Sequence, residues 1–259
     1  METLTLRASA QRRTRPVFTP KTFSFLRSLK RNNDREWFRQ RREAYERHVR
    51  EPMIAVIEQL GHDFRTIAPE LETSPKKCIY RIYRDTRFSG DKTPLKTQIA
   101  ASFRWKGQPR GEGPGLYFEV APGWVWIGGG FYAPESTHLV RIREHISRTH
   151  PALHRVVHAQ AFRSAVGALD GELLTRVPRG FQKDDPAAEY LKYRNLLAGR
   201  EFPPAFALTP SFYPTLLRTF RAILPMIRFL NEGLQPAEDD GAAPILPLAH
   251  VTTYARVRG

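Results

Sequence analysis

Apolar residues recur at helical spacing through most of the first 70 positions. Thr19-Pro20 supplies a capping hydroxyl and a proline at a first helical position. Phe23, Phe25, Leu26 and Leu29 then form one apolar side. Asn32-Asn33 closes this helix, since asparagine tolerates a left-handed backbone. Asp34 caps a second helix through Trp37, Phe38, Tyr45 and Val49. Pro52 kinks or restarts it, and Met53, Val56, Ile57, Leu60 and Phe64 continue the spacing.

The period then falls to two. Cys78, Tyr80 and Ile82 alternate with Ile79, Arg81 and Tyr83, and Ile99 to Trp105 repeats the pattern. Leu116, Phe118 and Val120 make a third strand. Pro122-Gly123 suits the centre of a type II turn, with Trp124 to Ile127 returning as a fourth strand. Gly128-Gly129-Gly130 reads as a link from that strand to a helix near Pro134, and a second helix starts at Pro151. A short strand is expected at Leu173 to Val177, and Asp185-Pro186 caps a helix carrying Tyr190, Leu191 and Leu197. A strand at Phe202 to Leu208 would be confined to an edge by Pro203-Pro204. The last long helix starts at Thr209-Pro210, with Pro225 bending it. These elements predict a single α+β domain, an antiparallel sheet of about five strands with helices before and after it. Residues 1–17 read as a basic tail, 18–232 as the domain and 233–259 as a loosely ordered tail.

Composition adds charge to this picture. The formal net charge is +15, with 41 basic residues of which 32 are arginine. Such a bias reflects GC-rich coding as readily as selection for a ligand, so its distribution matters more. Residues 76–96 hold 7 basic groups against 2 acidic ones, whereas residues 51–75 hold 1 against 5. A basic balance favours anionic partners. The single cysteine, Cys78, excludes an intrachain disulfide and a cysteine-based metal cluster. No apolar run is long enough for a transmembrane helix, and Met1 to Arg15 lacks the core of a secretory signal, so a cytoplasmic, membrane-free location is expected.

The densest chemistry lies at Arg81 to Lys96. Sixteen residues carry five cations (Arg81, Arg84, Arg87, Lys92 and Lys96), the carboxylates of Asp85 and Asp91, and the hydroxyls of Thr86, Ser89 and Thr93. Arginine offers a planar fork of donors to carboxylate or phosphate. Two readings follow. In one, Arg81, Arg84, Arg87, Ser89, Lys92 and Lys96 hold an anion, while Asp85 or Asp91 orients a guanidinium or moves a proton. In the other, the same groups form a structural ion-pair network. Gly90-Asp91-Lys92-Thr93 is not a Walker loop, because Asp91 stands where glycine must precede the lysine. Arg179 and Lys183, in the turn before Asp185, would extend an anion site if that loop met the first segment.

Other motifs exclude more than they propose. The glycine run is not GxGxxG in any register, so no dinucleotide cofactor is implied. His154 and His158 lie four apart without the glutamate of HExxH, and His138 and His145 lack an acidic third ligand, so no metal is expected. There is no GxSxG elbow, and Cys78 reads as a small buried hydrophobe. A nucleic-acid module is the alternative function, using the Arg-rich helices from Lys21 to Arg50 with Trp105 or Tyr132 exposed. A non-catalytic scaffold is the third.

The strings Phe23 to Phe38, Arg81-Ile82-Tyr83-Arg84-Asp85-Thr86-Arg87-Phe88-Ser89 and Asp91-Lys92-Thr93-Pro94-Leu95-Lys96 resemble the domain-of-unknown-function 2461 family, found mainly in bacteria with fungal members. Later matches include Gly129 to Pro134, Arg141, and Pro178-Arg179-Gly180-Phe181 with Asp185-Pro186. The resemblance covers roughly residues 18 to 232. Leu95 stands where the family pattern usually has tyrosine, and Asp185 where it often has histidine. The resemblance implies a single intracellular domain and carries no activity, cofactor or catalytic residue with it.

Overall fold

Threonine and proline set the entry to the fold. Thr19 is extended and Pro20 opens α1 (Pro20–Arg31). The structure, a computed structural model, describes residues 18–87 and 90–235. The expected tail at 1–17 lies outside the described residues, as does the expected tail at 233–259 beyond Gln235. Asn32 and Asn33 do follow α1, but neither takes a left-handed backbone, because no described non-glycine residue has a positive φ. Instead the Asn32 side chain donates to the Ser28 carbonyl at 2.9 Å. The Asp34 carboxylate accepts from the backbone of Glu36 and Trp37 at 2.8 and 2.9 Å, capping α2 (Arg35–Gln40).

After α3 (Arg42–Tyr45) the backbone widens into a π turn, Glu46–Arg50, before α4 (Glu51–Ile67). Pro52 therefore sits in the first turn of a restarted helix. It has no N–H to offer the His48 carbonyl four residues earlier. The buried Thr22 hydroxyl of α1 donates to that carbonyl at 2.6 Å.

A four-stranded antiparallel sheet follows, in the order β1 (Ile99–Phe103), β2 (Gly115–Val120), β3 (Val125–Phe131), β4 (Leu196–Phe202). Four strands rather than about five result because three expected strands do not form and one that was not expected, β4, does. Ser74 and Pro75 start a helical turn, α5 (Pro75–Cys78), so Cys78 ends a helix. The alternating residues after it make a single bridge to β1, Ile79 to Ala101. At the other end, the missing donors of Pro203 and Pro204 turn Pro204–Leu208 into a 3-10 helix, with Phe202 and Phe206 stacked at 4.3 Å. The expected strand at Leu173 to Val177 is reduced to one bridge, Leu173 to Tyr193.

Two further expectations are corrected within the sheet. Gly128, Gly129 and Gly130 lie inside β3 and pair across both neighbours, so they are not a link to a helix. Gly123 is absent from the positive-φ glycines, so Pro122-Gly123 is not a type II turn. Between β3 and β4 run α6 (Ser136–His158), α7 (Gln160–Val166) and α8 (Ala188–Leu191). Thr149 breaks helical geometry in α6, so the two expected helices are its two arms. Leu197, expected on the helix after Asp185, lies on β4.

Register gives the sheet two unlike faces. Ala101 and Phe118 pair on one face, and Ser102 and Tyr117 on the other. The first face carries Phe103, Phe118, Ile127 and Ala198 and is buried. The amphipathic α9 (Phe212–Glu232) covers it. Phe220 meets the rings of Phe64, Phe103 and Phe118 at 5.7 to 6.4 Å, and Phe118 stacks with Phe103 at 6.3 Å. The core thus sits between the sheet and helices α1, α4 and α9. The second face is left more open.

Candidate functional site

The described residues of Arg81 to Lys96 form an arm beside the sheet. Tyr83 bridges Leu95, the Arg84 N–H donates to the Pro94 carbonyl at 2.9 Å and the Lys96 N–H to that of Ile82 at 2.8 Å. Asn33 pins this arm to the helical layer. Its side chain donates to the Leu95 carbonyl at 2.8 Å and accepts from the Leu95 N–H at 3.0 Å, as a neighbouring strand would. Tyr83 packs edge-on against Phe38 at 6.1 Å.

Most of the charges at the tip of the arm satisfy one another. The Arg84 guanidinium contacts both the Asp91 carboxylate and the Thr93 hydroxyl. Asp91 also accepts from the Thr93 N–H at 2.9 Å. Arg87 makes a two-pronged contact with Asp85, Nε at 3.0 Å and Nη2 at 2.8 Å. The Lys92 ammonium donates to the Thr86 carbonyl at 3.0 Å. Arg87 holds the Asp85 carboxyl down to about 2, and Arg84 followed by Thr93 does the same for Asp91. Ser89 lies outside the described residues.

Lys96 is different. It lies at the base of the arm, half-buried, with its ammonium over the Tyr80 ring at 4.9 Å. Among the described residues no carboxylate lies within ion-pair distance of it. Burial, then the charges of Arg110, Arg81 and Arg84, push its pKa below the ordinary lysine value. The Arg110 guanidinium lies over the same Tyr80 ring at 4.4 Å and donates to the Ile79 carbonyl at 3.2 Å. Arg104 donates to the carbonyls of Gln108 at 2.7 Å and Lys77 at 3.2 Å. The Arg104 and Arg110 bonds go to carbonyl oxygens, so they leave the positive charge uncancelled.

Lys96 and Arg104 line a cleft of about 630 Å³ on the second face of the sheet. Tyr80, Tyr117, Glu119, Trp126 and Tyr132 also line it, over a floor that includes Gly129 and Gly130. The Tyr117 hydroxyl donates to one Glu119 oxygen and the Trp124 indole N–H to the other, each at 2.6 Å. Burial, with Glu119 close by, raises the Tyr117 pKa, so this phenol stays a donor. Tyr117 meets Tyr80 at 5.9 Å and Trp126 at 5.8 Å, completing an aromatic row. Trp126 lies close over Gly128 and Gly199, where any side chain would strike its ring. Tyr132 stands at the rim, 77% exposed.

Among the described residues of the sequence-predicted anion set, Lys96 alone lines the cleft. Arg81 and Arg84 act on it through their charge, while Arg87, Lys92, Asp85 and Asp91 are engaged at the arm tip. Arg179 and Lys183 are exposed on the 178–186 loop, where Asp185 accepts from the Ser147 hydroxyl at 2.6 Å and the Ala187 N–H at 2.7 Å. Neither lines the cleft. Sequence reasoning missed Tyr80, Arg104, Arg110, Tyr117, Glu119 and Trp126. The signal for three of them was present: Tyr117 and Glu119 alternate with Leu116, Phe118 and Val120, and Trp126 with Val125 and Ile127.

A larger concavity of about 800 Å³ lies between α4, α7 and α9, but no predicted site residue lines it. His154 and His158 stack at 3.8 Å, and His154 Nδ1 is hydrogen-bonded to the Tyr190 hydroxyl at 2.7 Å. Among the described residues no three His, Cys, Asp or Glu side chains gather as a metal ion would require. No helix among them is long and apolar enough to cross a membrane. No curated protein and no solved structure matches the chain. A family model does match it, over residues 21–229. The chain belongs to the family described as conserved hypothetical protein (DUF2461).

Proposed function

We propose that this protein binds a small phosphate- or carboxylate-bearing molecule in the cleft on the second sheet face, with Lys96 as its anion contact. The observation that carries this reading is the environment of Lys96. Its ammonium is half-buried among the charges of Arg110, Arg81 and Arg84, with no carboxylate within ion-pair distance among the described residues. A partly desolvated charge without a counter-ion is costly. An arriving anion relieves both the missing hydration and the repulsion from the arginines, and gains more there than it would in open water.

The arm tip has a supporting role in this reading. There Arg84 is paired with Asp91 and Arg87 with Asp85. Carboxyls held down to about 2 are weak bases, so Asp85 and Asp91 orient guanidiniums rather than take protons.

Calorimetric titration with inorganic phosphate, nucleotides, sugar phosphates and small carboxylates tests the proposal. At least one of these anions binds the wild type, and Lys96→Met weakens it at least about tenfold, roughly 1.4 kcal/mol. Arg87→Ala leaves the affinity unchanged. The melting temperature of ligand-free Lys96→Met stays level or rises, because the half-buried charge is gone. An affinity that survives Lys96→Met overturns the proposal, as does a panel in which no anion binds. Binding of single-stranded oligonucleotides alone, falling steeply with salt, would move the function to nucleic acid.

A further inference from the structure

Beyond the charge of the ligand, the cleft carries information about its shape. We infer that the ligand is a planar ring bearing its acid group at one end and an N–H donor at the other, the acid on Lys96 and the donor on Glu119. A nucleoside monophosphate and an amino-substituted aryl carboxylate are the plainest examples of the class. This inference rests on the anion reading above.

Three features support it. First, the order across the cleft is fixed by contacts. Lys96 lies over Tyr80, Tyr80 meets Tyr117, and Tyr117 holds Glu119. A cation and a carboxylate are thus separated by a row of aromatic rings. Aromatic rings offer flat faces to any planar partner. Second, the strand presents backbone to the cleft at Gly129 and Gly130, since a side chain at Gly129 would point to Ile223 of α9 on the other face, so a flat molecule can approach the main chain there. The positive φ of Gly130 (135°) reserves that position for glycine.

Third, Glu119 is a fixed acceptor. Each of its oxygens already receives one hydrogen bond, from Tyr117 or Trp124, and each keeps a second lone pair. Those bonds hold it to Tyr117 and Trp124 rather than to Lys96, and a carboxylate lining the cleft repels the acid end of a ligand. That fixes the direction in which a two-ended molecule lies. The volume, about 630 Å³, falls within the range of small-molecule sites rather than of a polymer channel.

A matched ligand series on the wild-type protein tests this without relying on a variant. The pairs are AMP against ribose 5-phosphate (ring removed), AMP against purine riboside 5′-monophosphate (donor removed), and 4-aminobenzoate against benzoate. The ring-bearing, donor-bearing member of each pair binds at least about tenfold more tightly, one decade of Kd. Glu119→Gln then abolishes the preference for the donor while keeping the affinity for ribose 5-phosphate. Lys96→Met weakens all members alike. If ribose 5-phosphate binds as tightly as AMP, or if neither donor-bearing member has an advantage, the inference fails and the anion reading stands. If no member of the series or other anion binds, both fall together.

Discussion

Two exposed aspartates titrate unlike free ones because each faces an arginine. Asp85 and Asp91 are solvent-exposed, yet each is held near 2, against an ordinary value of 3.8. Their pairs with Arg87 and Arg84 are complete above about pH 4, where an unpaired aspartate is ionised. They are lost as the pH falls through about 2. The carboxyl carbons of both residues should therefore titrate by NMR with midpoints near 2, and midpoints near 4 would contradict the pairing. Because both groups are exposed, global stability moves little over that range. Thr22 is the opposite case, a buried hydroxyl whose partner is the carbonyl that Pro52 leaves without its usual donor. Thr22→Val keeps the shape and removes that bond. Urea denaturation should show a loss of about 1–2 kcal/mol, with an unchanged denaturant slope.

At the scale of elements, the glycines of β3 are structural before they are anything else. A Cβ at Gly128 would stand 2.2 Å from the Ala198 carbonyl oxygen and 2.6 Å from the Trp126 ring. Gly128→Ala should cost about 1–3 kcal/mol by overpacking. Gly123→Ala, where nothing lies within 4 Å, should change stability by less than about 0.5 kcal/mol. Thermal or urea unfolding of the two variants checks the contrast. The same elements show how far the sequence could be read. Helices with strong periodicity, such as the run holding Met53, Val56, Ile57, Leu60 and Phe64, were legible because one face alone decides them. Ile79 to Tyr83 alternates as well as β1 does. Whether such a run becomes a strand depends on partners distant in sequence, and here residues 94–96 compete for Ile82 and Arg84. Likewise, nothing local says that Gly128 to Gly130 continue a strand, since their fit depends on β2 and β4. Of the candidate site, the cations were legible as a string. Which of them meets the cleft was decided by the arm's fold.

At the scale of the molecule, charge and shape are divided between the two faces of one sheet. The face under α9 is hydrophobic, and the other carries the carboxylate of Glu119, the aromatic row and the cationic wall at Lys96. This division needs a sheet that stays four strands wide, and both of its outer strands are guarded. On β1 the Ile79 bridge blocks part of the edge, and Leu71 with Trp105 continues the cover. On β4 Asp170 exchanges hydrogen bonds with Leu197 at 2.8 and 2.9 Å, and Arg200 and Glu201 are exposed farther along. Unpaired strand edges are templates for recruiting further chains, and short bridges and charges blunt them. The run that fails to become a fifth strand thus serves as a stopper: it denies a second copy the ladder it would need for edge-to-edge aggregation or strand exchange.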